Sequence, residues 1–208
     1  VDQPSGMNPK PLNAEPMSPD DVIPAFDRDG PAWAAARDRR LIERPWLDRA
    51  LALAPRTGGR RQVLDLGCGE GRPVAEYLLD RGCAVTGVDA SRTMIELFAR
   101  VNPRATALHA DMRTLTLGQR FDLIVAWDSL VHLPAEDQRG MASVLAAHSE
   151  AGGVLLLATG ATAGPPVFRE SLDAEGTLAL LERAGFEELG HWPGEEALGG
   201  RDVWLARV

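Results

Sequence analysis

Apolar residues follow two rhythms along this chain, and the alternation between them predicts its architecture. Short apolar runs recur at 62–66, 83–88, 105–110, 121–127 and 154–159, each broken by glycine, aspartate or a turn. Runs of this length with few polar interruptions read as strands buried on both faces. Between them the apolar residues return at helical spacing. Val74, Leu78 and Leu79 precede a stop at Gly82, Ser91 stands where it caps a following helix, and Met141, Val144, Leu145 and His148 form a stripe that Gly152-Gly153 ends. A long loop from Gly160 to Ser171 leads to a helix from Asp173 to Ala184 carrying Leu178 and Leu181, with a stop at Gly185. Two more strands are predicted at 186–192 and 202–207.

Strands alternating with helices up to Thr159 call for a parallel sheet covered on both faces. The connection from Trp192 to Gly200 is too short for a crossover helix, so the last strand should return antiparallel. Ahead of the sheet, 31–44 is rich in helix formers, Pro45 should close that helix, and a second runs through Trp46, Leu47, Ala50 and Leu51 to Ala54. These are expected to be lid helices, at about 31–54. Residues 1–19 hold five prolines and little periodicity, so they read as a disordered lead or expression remnant before one α/β domain over 20–208.

The chain is organised around Val63-Leu64-Asp65-Leu66-Gly67-Cys68-Gly69-Glu70-Gly71-Arg72-Pro73, a strand that breaks into glycines where a helix must begin. A dinucleotide fingerprint would carry glycine where Arg72 stands. The second strand ends at Asp89, 20 residues past Gly69, where an acidic side chain in a doubly wound fold accepts ribose hydroxyls. The third ends at Asp111-Met112, and the fourth continues as Trp127-Asp128-Ser129-Leu130-Val131-His132-Leu133. Asp65, Asp89 and Asp111 thus close three strands.

The D-x-G-x-G-x-G spacing resembles motif I of class I S-adenosylmethionine (AdoMet) methyltransferases. Glu43-Arg44-Pro45-Trp46-Leu47-Asp48-Arg49, Val85-Thr86-Gly87-Val88-Asp89, Ala110-Asp111-Met112-Arg113 and Val203-Trp204-Leu205-Ala206-Arg207 extend the likeness to a group of small bacterial members. The resemblance implies a Rossmann-like seven-stranded sheet and AdoMet as cofactor, with S-adenosylhomocysteine (AdoHcy) as product. It implies contacts from Asp65, Gly67, Cys68, Gly69, Asp89 and Ala90, adenine recognition by Asp111 and Met112, and Trp127 beside the methyl group. Trp33 and Arg37 lie four apart on one helical face, so a lid arginine would meet the methionyl carboxylate; the plainer reading has Trp33 in the core and the arginine solvated. Asp111 could instead cap a turn.

His132 is the candidate base because a neutral imidazole acts near pH 7, although a buried histidine capping the next helix fits equally. Asp128 is the second candidate, or else orients Trp127 or a water. No Asp-Asp or Asp-Asn pair follows this motif, so no metal is expected.

Composition narrows the partners. A net charge of −8 disfavours nucleic acid. The single lysine, Lys10, precludes the Tyr/Lys pair of a nicotinamide-dependent reductase in the folded region, and that reductase is the weaker alternative to a non-catalytic AdoMet sensor. Cys68 and Cys83 form no C-x-x-C pair, and no signal peptide or run of about 18 apolar residues occurs, so a soluble cytoplasmic protein off the membrane is expected. The expected substrate is a small-molecule O- or N-nucleophile; acceptor identity and oligomeric state are not encoded in any motif.

Overall fold

The computed structural model describes residues 17–37, 39–160 and 167–208. Its seven strands are β1 (Gln62–Leu66), β2 (Ala84–Asp89), β3 (Thr106–His109), β4 (Phe121–Trp127), β5 (Ser149–Thr159), β6 (Glu187–Glu195) and β7 (Arg201–Arg207), in the spatial order β3-β2-β1-β4-β5-β7-β6. The pairings from β3 through to β5 are parallel, and β7 lies antiparallel between β5 and β6. This is the predicted sheet, with its last strand reversed.

The period of two within each strand sorts the core into two layers. Val63, Val85, Leu123, Val125 and Leu156 pack with Trp46 and Leu47 of α2 (Arg44–Leu53) and Ala75 and Leu78 of α3 (Val74–Asp80). On the opposite face Leu64, Leu66, Ile124, Leu155 and Leu157 meet Met141 and Leu145 of α5 (Ala135–His148) and Leu180 and Leu181 of α6 (Ala174–Arg183). Apolar residues at consecutive strand positions are therefore all buried, which explains the unbroken runs. The chain leaves β1 towards β2 and β3, then returns to the other side of β1 with β4, so a crevice opens at the carboxyl ends of β1 and β4.

Several boundaries differ from expectation. The first of the two helices expected ahead of the sheet is α1 (Val22–Ala36), beginning well before Pro31 and holding that proline inside. Proline has no N–H for the carbonyl four residues back. That carbonyl, of Asp27, accepts instead from Thr93 Oγ1 at 2.9 Å, at the start of α4 (Arg92–Val101), so a tertiary contact supplies the missing donor. Gly152-Gly153 does not end α5; the helix stops at His148, and β5 already runs from Ser149. Side chains close that end, since the His148 ring donates from Nδ1 to the Val144 carbonyl at 2.7 Å and Ser149 Oγ donates to that of Leu145 at 2.7 Å. Leu178 is 42% exposed, and Leu180 and Leu181 are the inward pair of α6. Residues 1–16 of the predicted lead and 161–166 of the predicted loop lie outside the described residues, while Pro19–Asp21 forms a single 3-10 turn leading into α1.

Candidate active site

The glycine loop is braced from β2. The N–H groups of Gly67 and Cys68 both donate to the Val88 carbonyl, at 2.8 and 3.0 Å. One residue on, Asp89 Oδ2 accepts from the Gly69 N–H at 2.8 Å and Oδ1 from the Ser91 N–H at 2.9 Å. Burial pushes the Asp89 carboxyl above the usual range, and these two N–H bonds oppose that shift. Ser91 caps α4 through Met94 and donates its hydroxyl to Asp27 Oδ1 at 2.6 Å, which ties α1 to the same corner. Asp27 was not anticipated, because its partner lies 64 residues away.

Above this corner is a cavity of about 580 Å³. Every residue predicted to bind the cofactor or catalyse, Asp65 excepted, contributes to its wall. Asp65 is buried, and burial pushes its carboxyl up to about 7, with Arg37 opposing and Asp89 adding to the shift. Its place is therefore beneath the loop. Arg37 lies over the Trp33 ring at 5.3 Å from the centroid, so the predicted pair does share a face.

The segment from Trp127 to Leu133, which continues β4, is anchored from across the sheet. Asp128 has φ 52°, the only left-handed non-glycine among the described residues. Its carboxylate accepts a forked interaction from Arg201, 2.8 and 2.9 Å from Nε and 2.8 Å from Nη2, while Arg201 also donates to the Leu198 carbonyl. A carboxylate so committed orients its segment; it is not a ready proton acceptor. His132 lies close to Phe168, whose carbonyl can only accept, so Nδ1 carries the proton at 3.0 Å and Nε2 keeps its lone pair. Burial lowers the His132 pKa, and the Phe26 ring packs edge-on at 5.4 Å. Asp111 caps the turn at Met112–Thr114, as the plainer of its two readings has it, and also lines the cavity. The Arg113 guanidinium grips it and holds its carboxyl below the usual range.

Trp127 Nε1, Ser129 Oγ and Glu43 Oε2 are buried polar atoms of this wall with no hydrogen-bond partner among the described residues. Among those residues, no group of three or more His, Cys, Asp or Glu side chains is placed to hold a metal ion. No helix among them is long and apolar enough to cross a membrane.

Residues 63–153, from β1 and the glycine loop through the segment after β4 and into β5, match the family described as a methyltransferase domain. This stretch is a methyltransferase domain of the class I type. The chain is 32% identical over 152 residues to Methyltransferase GfsG of Streptomyces halstedii, an alignment covering 68% of this chain and 53% of that protein. The chain thus spans about half the length of that relative. Among solved structures it resembles the magnesium protoporphyrin IX methyltransferase of Synechocystis with bound AdoHcy, at TM-score 0.72 and 18% identity over 91% of this chain and 98% of the other. It also resembles the [4+2]-cyclase SpnF, at TM-score 0.68 and 20% identity over 92% and 96%. Likeness at these identities is likeness of fold, and the cyclase shows that this fold hosts more than one chemistry.

Proposed function

We propose that this methyltransferase moves the methyl group of AdoMet to a small-molecule oxygen or nitrogen nucleophile. The observation that carries the reading is the corner where Asp89 binds the Gly69 N–H at the floor of the cavity. A carboxylate held there by backbone donors keeps lone pairs for a ribose diol, and the wall's unpartnered Trp127, Ser129 and Glu43 atoms call for a polar ligand. When bound, AdoMet supplies an electrophilic methyl group on sulfonium. Gly67, Cys68, Gly69 and Ala90 form the floor, Asp111 and Met112 take the adenine, and Trp33 and Arg37 cover the amino-acid end. Phe26, Ile42 and Leu133 exclude water, which sharpens every electrostatic contact inside.

Methyl transfer to a hydroxyl or a protonated amine releases a proton, and His132 Nε2 is the group that receives it. Asp128, locked by Arg201, positions Trp127 and Ser129 beside the reacting atoms. His132→Ala should lower turnover by roughly a hundredfold with near-normal AdoHcy affinity. Full activity in that variant would reduce His132 to a packing role.

Thermal unfolding tests the cofactor assignment. AdoHcy at about 100 times its dissociation constant should stabilise the protein by about 2.7 kcal/mol, and NADH should not. Stabilisation by NADH alone would end the methyltransferase reading. Asp89→Ala should weaken AdoHcy binding by about 1.5–3 kcal/mol, the usual range for a hydrogen bond to a charged group, as read by calorimetry. Unchanged affinity in the folded variant would exclude Asp89 from the ribose site. A second reading is an AdoMet-binding protein that transfers no methyl group, since the same fold also serves a cyclase. Incubation with labelled AdoMet and a metabolite extract separates the two, since sustained absence of label transfer supports the second.

A further inference from the structure

Glu43 is a buried carboxylate in the cavity wall for which the roles above have no use. It caps α2, where its carbonyl accepts from the N–H groups of Trp46 and Leu47, both at 3.1 Å, so its backbone is held. Oε1 lies 3.6 Å from Arg37 Nη2, too long for a closed hydrogen bond, and Oε2 has no partner among the described residues. Burial raises the Glu43 pKa, opposed by a hydrogen bond from the residue's own N–H and then by Arg37 and Arg201, and reinforced by Asp128. Arg201 is itself committed to Asp128. The carboxylate is therefore mounted on a held backbone and desolvated, with Oε2 short of a donor.

We propose that Glu43 receives the α-ammonium group of AdoMet while Arg37 receives its α-carboxylate, so that the turn between the two lid helices clamps a zwitterion. This rests on the AdoMet assignment above. Ammonium and carboxylate hang from one carbon, so a ligand whose carboxylate reaches Arg37 brings its ammonium within reach of the adjoining Glu43. The two protein groups stand close enough to serve one amino acid and far enough apart to leave their bonding capacity open. Arg37 also has its orientation set by the Trp33 ring beneath it. Of the other acids nearby, Asp128 is committed to Arg201, and Asp65 is set back from the cavity wall, which makes it the poorer ammonium ligand.

The test is calorimetric titration of the full chain with AdoHcy and with its desamino analogue, which keeps the thioether and carboxylate but carries hydrogen in place of the ammonium. The wild-type protein should prefer AdoHcy by roughly tenfold or more, the loss of one charge-assisted bond. Glu43→Gln, which keeps an acceptor oxygen and removes the charge, should bind both ligands about equally. Asp65→Asn should retain the wild-type preference, and this decides the matter if Glu43→Gln does not fold. A wild-type protein that cannot tell the ligands apart, a Glu43→Gln variant that still prefers AdoHcy, or an Asp65→Asn variant that loses the preference each overturns the proposal. Failure of the wild-type protein to bind either ligand overturns the AdoMet assignment as well, and is thereby distinguished from failure of Glu43 alone.

Discussion

Gly67→Ala is expected to destabilise the protein by about 2–5 kcal/mol and to remove AdoHcy binding in whatever fraction remains folded. Two costs add. Gly67 has φ +70°, where a side chain costs about 1–2 kcal/mol. A Cβ there would also overlap Ser129 Cβ and stand 3.2 Å from Met112 Cε, and overpacking of this kind costs about 1–3 kcal/mol. The loop cannot retreat cheaply, because the Gly67 and Cys68 N–H groups are both spent on Val88. It cannot advance without closing the cavity floor. Gly82→Ala is the control: φ is +79° there, and nothing lies within 4 Å of the added carbon. It should show the backbone cost alone, with AdoHcy affinity unchanged. Urea unfolding with a ligand titration reads both quantities, and equal losses in the two variants would mean that Ser129 yields freely.

Asp65 should give the protein an unusual dependence of stability on pH. With its folded pKa near 7 and an ordinary value of 3.8, the native state holds a proton that the unfolded chain has released throughout that interval. The unfolded state then binds fewer protons, so stability falls as pH rises from about 4 to about 7. A shift of this size corresponds to about 4 kcal/mol at most, since each unit is about 1.4 kcal/mol. Asp65→Asn keeps the shape and removes the titration. Relative to wild type the variant should gain stability steadily across that window, and plateau above the folded pKa. Unfolding curves at closely spaced pH values check this; a difference between the two proteins that stays constant with pH would show that Asp65 titrates normally. Arg37→Gln should push the Asp65 carboxyl further upward, because the guanidinium favours its charged form.

Both predictions concern the part of the molecule most legible in the sequence. β1 and β4 begin and end where their apolar runs do, because a strand buried on both faces admits almost no polar residue and its limits are written locally. Asp89 was placed at a strand end by spacing alone, and the structure adds that it braces the glycine loop. The lid was less legible. Pro31 looks like a helix start in any local window, and only the hydroxyl of Thr93 against the Asp27 carbonyl makes it tolerable inside α1. Asp128 illustrates the same limit at the site, since nothing near it in sequence announces an arginine 73 residues away.

The places of the strands along the chain, the reversal of the last one, the glycine turn and the three terminal aspartates were settled by residue pattern, because periodicity, connection length and backbone freedom act over a few neighbouring residues. Which carboxylates are engaged, which are buried and which reach the cavity was decided only when the chain folded. Arg201 takes Asp128, Arg113 takes Asp111, Asp65 withdraws beneath the loop, and Glu43 enters the wall with one oxygen unpartnered. Charge pairing and desolvation depend on distances between residues remote in sequence, and those distances exist only in the folded chain.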